Sequence, residues 1–233
     1  VTPTLHVHPT AELAERVLLP GDPGRALLLA QALLEQPLMF NHNRGLWGYT
    51  GAAADGAPLT IQSTGMGGPS AAIVIEELVR LGARRLVRVG TCGALVDGVA
   101  LGDAIIAETA ICGDGTSRAL GAGTRVAADR ALTAGLVTAA AHDGGARSGA
   151  VVTTDLFYDS AGHHADHAGS TGSALAIEME TATLFRLATL RGVQAGCVLA
   201  VSDLLGSARG RIDADALDAA SRRIGRIAAA ALS

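Results

Sequence analysis

The chemistry of this chain can be read outward from one charged residue in an apolar run. Arg88 stands in Arg85-Leu-Val-Arg-Val-Gly-Thr-Cys-Gly-Ala94, beside Leu86, Val87 and Val89. Aliphatic and β-branched residues bounded by glycines predict a buried strand that enters a glycine turn. A guanidinium in such a strand is costly unless an anion faces it. One candidate is an oxyanion ligand, received by Arg88, the Thr91 hydroxyl and the backbone N–H groups of Gly90 to Gly93. The other is an internal carboxylate. The stretch alone does not choose between them.

Two further places carry acidic groups in apolar surroundings. In Leu175-Ala-Ile-Glu178-Met-Glu180 the carboxylates alternate with Ile177 and Met179, so in a strand they share one face. Paired buried carboxylates repel and need donors. A salt bridge to a residue such as Arg88 satisfies that need, and so do the hydroxyls of a sugar. Asp203 follows the apolar run Val193 to Val201. An Asp at a strand end suits acid–base work, or simply caps a turn.

These residues need elements to position them. Arg16 to Pro20 reads as a strand, followed by the turn Gly21-Asp-Pro-Gly and a helix to about Leu34. Strand, glycine turn and helix start present N–H groups to an anion. Arg25 falls in that helix's first turn, where a cation opposes the helix dipole unless an anion is near; a solvated surface arginine is the plainer reading. Leu59 to Ser63 is a second strand, and Gly65-Met66-Gly67-Gly68-Pro69 leads into a helix ending near Leu81. Further strands are expected at 102–111 and 146–152, with helices at 130–143, 181–190 and 213–232 and a loop at 113–123. Strands alternating with helices imply one α/β domain over 1–233, with glycine-rich strand ends gathered on one side.

Composition removes several function classes. The chain has 233 residues, 49% of them hydrophobic, and a formal charge of −4, which gives no reason to expect nucleic-acid binding. All 18 basic residues are arginine, so P-loop lysines, Schiff-base lysines and lysine bases are excluded. Cys92, Cys112 and Cys197 are widely spaced, which fits a reducing compartment better than a disulfide or zinc framework. No leader and no membrane-spanning run is apparent, and a cytoplasmic protein is the expectation. The run from Asp159 to Ser173 holds His163, His164 and His167. Its loop composition suggests a flap over a pocket rather than a metal site.

Taken together, Pro20-Gly-Asp-Pro-Gly-Arg25, Asn43-Arg44-Gly, Thr64-Gly-Met-Gly, Arg88-Val-Gly-Thr-Cys-Gly93, Asp155-Leu-Phe-Tyr158, Glu178-Met-Glu180 and Val201-Ser-Asp203 resemble the nucleoside phosphorylase family, which includes bacterial purine nucleoside phosphorylases and uridine phosphorylases. The likeness runs nearly end to end and is closest to the purine enzymes. It implies a three-layer α/β/α fold around a mixed, partly barrel-like sheet. It implies phosphorolysis of purine nucleosides in purine salvage, with inorganic phosphate as co-substrate and no cofactor or metal.

The resemblance also implies roles. Gly21, Arg25, Arg88 and Thr91 match a phosphate site, with Arg44 supplied by a neighbouring subunit. His6, Met66, Met179 and Glu180 match ribose contacts, with His6 (or else His8) also reaching in from the neighbour. Cys92, Gly93, Phe157, Ile177, Glu178, Ser202 and Asp203 match the base pocket, and Asp203 matches the acid beside the purine. Shared residues imply a homo-oligomer, and the likeness suggests a hexamer built as a trimer of dimers. Two departures bear on specificity. The Gln-x-Arg pair by which uridine phosphorylases read uracil is missing from Asp159-Ser-Ala-Gly-His-His-Ala. The arginine that assists the acid in purine enzymes falls here near Ala216, leaving Arg209, Arg211 or Arg222 as substitutes. A uridine phosphorylase and a nucleosidase of the same fold remain the alternatives.

Overall fold

The computed structural model describes residues 4–158, 174–206 and 209–233. In chain order the strands are β1 (Arg16–Leu19), β2 (Glu35–Asn41), β3 (Gly48–Ala52), β4 (Pro58–Gln62), β5 (Arg85–Ala94), β6 (Ala104–Cys112), β7 (Arg125–Ala127), β8 (Arg147–Thr153), β9 (Ala176–Glu178), β10 (Gln194–Leu204) and β11 (Gly210–Arg211). The α-helices are α1 (Pro23–Leu33), α2 (Gly68–Leu81), α3 (Gly115–Ala119), α4 (Arg130–Ala141), α5 (Thr181–Arg191) and α6 (Ala214–Leu232).

All of these strands join one mixed sheet, and β5 is its hub. It pairs in parallel with β1 and β10 and antiparallel with β9. The circuit β5–β10–β6–β8–β9 returns to β5, so that part of the sheet closes like a barrel. The remaining limb, β1–β4–β3–β2, stays open. Closure removes edges where a free edge would expose unpaired backbone groups.

Strand alternation sorts the core onto two faces. Leu86, Ala195, Cys197 and Leu199 pack with α2 and α5. Their neighbours Val87, Val89, Val198 and Ala200 pack with α1, α4 and α6 on the other side. Helices therefore cover both faces, giving the layered α/β arrangement. Arg88, in step with Leu86, is carried toward the α2/α5 side. Short acidic side chains begin the helices: Asp22, Asp129 and Asp213 accept hydrogen bonds from the N–H groups of Arg25, Leu132 and Ala216, filling donors a helix leaves open. Gly192 ends α5 in the left-handed conformation at φ 64°, a position that favours glycine.

Four local expectations are corrected. The strand holding Arg88 does not turn at Gly90 but runs on to Ala94, because β10 and β9 supply partners along that length. The segment 113–123 is not all loop: Asp114 caps α3 through the Ser117 N–H. The strand carrying Glu178 stops there, and Glu180 is the N-cap position of α5 rather than a strand residue. Asp203 lies inside β10 instead of beyond it, where an irregularity at Ser202 shifts the pairing with β5.

Candidate active site

Because β1, β5 and β10 are parallel, their carboxyl ends open on the same side, the usual place for a site in such sheets. A cavity of about 510 Å³ lies there. The turn after β1 contributes Gly21, the first turn of α1 contributes Arg25, β5 contributes Arg88, Thr91, Cys92 and Gly93, and β10 contributes Ser202 and Asp203. The β9–α5 junction adds Ile177, Glu178, Met179 and Glu180, while Met66 and Phe157 complete the wall. Residues scattered from position 21 to position 203 thus meet around one space.

Arg88 is the charged floor of this cavity. Its side chain is 7% exposed. Nε donates to Glu178 Oε2 at 2.9 Å, and Nη2 stands 2.5 Å from Glu180 Oε2. Burial alone would favour loss of the charge, but Glu180 and Glu178 outweigh it and hold the guanidinium protonated, its pKa raised. The internal carboxylate is therefore present, and Arg88 also lines the cavity where an anion would meet it. Of the two sequence readings, the ion pair is the one these contacts show. Gly90 makes the arrangement possible: a Cβ there would sit 2.7 Å from the Arg88 guanidinium carbon.

The two glutamates differ in their surroundings. Glu178 has a fully buried side chain and accepts from Arg88, the Thr153 hydroxyl at 2.5 Å, and the N–H groups of Glu180 and Thr181. Those backbone donors open α5, so the carboxylate also sits at the positive end of a helix. Glu180 accepts from the Gly67 N–H and pairs with Arg88. Burial pushes its carboxyl pKa up; Arg88 opposes that shift and Glu178 adds to it. Thr153 and Gly67 were not singled out as site residues from sequence. The glycine cluster before α2 and the motif Thr64-Gly-Met-Gly are the signals for Gly67, and nothing local marks Thr153.

Next to this pair, Arg25 has its pKa lowered, first by burial and further by the nearby Arg88 charge, with Asp22 acting the other way. A desolvated cation beside a second cation is a place that attracts an anion. At the opposite end the wall is largely apolar. Phe157 is 55% exposed, in edge contact with Tyr158 at 5.1 Å between ring centroids. Leu205 crosses the cavity wall beside Gly93, where an added Cβ would lie 2.6 Å from its methyl. Cys92 lines this end with its thiol directed at the Ala200 carbonyl, and burial raises its pKa well above normal. Asp203 is the acidic group on this wall; its Oδ2 accepts from Ser202 Oγ at 2.7 Å.

Two expected site residues are elsewhere. His6 and Arg44 do not line this cavity. They lie together: Asn43 Nδ2 donates to the His6 carbonyl at 2.9 Å. Glu77 anchors this corner by accepting from the N–H groups of Leu5, His6 and Val7, and its Oε1 lies 2.8 Å from His6 Nδ1. Arg44 is exposed and has a positive φ of 58°. The histidine-rich run with His163, His164 and His167 falls outside the described residues. Among the described residues no group of three or more His, Cys, Asp or Glu is arranged to hold a metal, and no helix is long and apolar enough to cross a membrane.

Comparison with known proteins gives a consistent result. Residues 15–233 match the profile of the phosphorylase superfamily. The chain is 42% identical over 200 residues to a protein of Bacillus cereus (strain B4264) named purine nucleoside phosphorylase DeoD-type, covering 82% of this chain and 83% of that one. A protein of the same name from Oceanobacillus iheyensis is 39% identical over 196 residues, with 82% and 83% covered. One from Bacillus thuringiensis (strain Al Hakam) is 42% identical over 200 residues, with the same coverage.

Proposed function

The chain belongs to the phosphorylase superfamily, and from that premise we propose that it is a purine nucleoside phosphorylase, a pentosyltransferase that cleaves the N-glycosidic bond of purine nucleosides with phosphate. The names of its relatives support this reading. The observation that carries it is one cavity joining Arg25, Arg88 and Thr91 to Glu180 and, on the same wall system, to Asp203.

The geometry suits the reaction. Phosphate at Gly21, Arg25, Arg88 and Thr91 would lie on the side of the sugar from which C1′ is attacked. Glu180, with Met66 and Met179, would receive the ribose hydroxyls, with Arg88 and the Gly67 N–H holding its carboxyl in place. The base would enter the apolar end between Phe157, Ile177, Cys92 and Gly93, with Ser202 and Asp203 at its edge and Glu178 holding the wall in place. Cleavage builds positive charge on the sugar, which the neighbouring phosphate stabilises electrostatically. Asp203 delivers a proton to the leaving base; help of this kind is worth about 10²–10⁴ in rate.

Charge counting supports a shared site. Arg25, Arg88 and Arg211 share the cavity wall with Asp22, Glu178, Glu180 and Asp203, so the wall carries no excess of positive charge. A phosphate dianion therefore gains from a further cation, and Arg44 of a neighbouring subunit is the candidate, with His6 arriving on the same surface to meet the ribose. The shared residues call for at least a dimer, and the family resemblance supports a hexamer of three dimers, a cytoplasmic location and a place in purine salvage without a cofactor.

The test is to incubate the protein with inosine, adenosine, guanosine and uridine, with and without phosphate, and to measure free base and sugar 1-phosphate. Phosphate-dependent release of purines is expected. Cleavage that ignores phosphate would show a nucleosidase, and turnover of uridine alone would overturn the purine assignment.

A further inference from the structure

Asp203 has a basic partner that does not come from the helix following it. Asp203 and Arg211 are paired residues of the antiparallel strands β10 and β11. Arg211 Nε stands 3.7 Å from Asp203 Oδ1, and both side chains line the cavity. The other carboxylate oxygen, Oδ2, is taken by the Ser202 hydroxyl. The backbone continues the pairing, since the Ile212 N–H donates to the Ser202 carbonyl at 2.9 Å. At position 216, where an assisting arginine is expected by resemblance, the residue is alanine.

We propose that Arg211 is the positioning residue for Asp203, placed by a strand pairing instead of by α6. This rests on the phosphorylase reading above. In the chemical step a phosphate oxygen forms a bond to C1′ as the C1′–N9 bond breaks. The bonding pair goes to the purine, which takes the Asp203 proton at N7 and leaves as neutral base. Asp203 is left as a carboxylate and recovers its proton from solvent, which receives the one lost by the phosphate ester. Arg211 faces the oxygen opposite the Ser202 contact, so its charge stabilises that carboxylate as it forms. A sheet ladder holds the pair in register.

This role differs from a structural one in what it predicts. The Arg211 side chain is 74% exposed, and an exposed ion pair at this distance adds little to stability. Its worth should therefore appear in the proton-dependent step alone. A nucleoside already methylated at N7 carries a cationic base that departs without a proton, and it bypasses Asp203.

The experiment compares wild type, R211M, R211K and the control R209M for kcat and KM on inosine and on 7-methylguanosine, with thermal melts of each. For R211M the expected result is at least a tenfold fall in kcat on inosine. Phosphate KM should stay within about twofold, the melting temperature should be unchanged, and 7-methylguanosine should lose little. R211K should recover part of the inosine rate. Equal losses on both nucleosides, no loss on either, or the same loss in R209M would overturn the proposal while leaving the phosphorylase reading intact. Absence of any phosphorolysis by wild type would overturn both.

Discussion

Arg88 Nη2 and Glu180 Oε2 stand 2.5 Å apart, so the group assigned to phosphate and the group assigned to ribose form one buried ion pair. Arg88→Ala would leave Glu178 and Glu180 facing each other without their shared cation. Removing one partner of a buried pair typically costs about 3–5 kcal/mol. Denaturant unfolding of the variant should show a loss of that size, together with weaker binding of both substrates. A variant as stable as wild type would mean that the pair does not hold this floor together.

Arg25→Ala should behave differently. Among the described residues no carboxylate is bonded to its guanidinium, and burial and Arg88 already disfavour its charge. Stability should stay within about 0.5 kcal/mol, as for most changes that orphan nothing. Losing one charged hydrogen bond to phosphate costs about 1.5–3 kcal/mol, so phosphate KM should rise roughly tenfold to a hundredfold, read by initial rates against phosphate. An unchanged phosphate KM would remove Arg25 from the site.

Gly90→Ala probes the same floor without changing any charge. The new methyl would lie 2.7 Å from the Arg88 guanidinium and 3.0 Å from Leu199, in a buried strand with little room to yield. Overpacking of this kind usually costs about 1–3 kcal/mol. Thermal unfolding should register that loss, and the displaced guanidinium should raise phosphate KM as well. Wild-type kinetics in this variant would show that Arg88 has freedom its contacts do not suggest.

Asp203→Asn keeps the size of the acid and removes its proton donation. Turnover of inosine should fall by about 10²–10⁴, with nucleoside affinity changed much less. If affinity and turnover fell together, Asp203 would be a binding group rather than an acid.

Glu77 provides a pH dependence. Burial acts to raise its pKa, but His6 and the N–H groups of Val7, His6 and Leu5 prevail, so the folded-state pKa is lowered from 4.5. Its contribution to stability is therefore complete above the unfolded value near 4.5. It fades as pH falls through the lower folded-state value. The protection factors of the amides of 5–7 should fall over that acid range, and Glu77→Gln should flatten the change. Equal protection in wild type and E77Q down to acid pH would separate Glu77 from the docking of this segment.

Much of the molecule was legible from residue order. The α/β alternation, the buried strand around Arg88 and the glycine turns before α1 and α2 follow from local chemistry: β-branched runs extend, Asp and Pro start helices, and glycine permits the turns. The boundaries near the site were harder. β5 runs through its glycines because β10 and β9 offer hydrogen-bond partners, and no local propensity reports a distant strand. Glu180 leaves the strand pattern because the backbone turns into α5 over the Glu178 carboxylate, and period-two spacing cannot show where a strand stops.

The candidate site divides along the same line. By itself the sequence determined which groups are available: arginine as the only side-chain base above histidine, paired glutamates in apolar company, and an aspartate after an apolar run. Their costs of burial follow from residue type alone, which is why Arg88, Glu178, Glu180 and Asp203 stood out. Which charge meets which was decided by tertiary structure. Arg88 reaches both glutamates because β5 pairs with β9 and α5 begins directly above it, and Arg211 faces Asp203 because two strands lie antiparallel. Coulomb attraction falls with distance through space, and distance through space is fixed only once the sheet has closed.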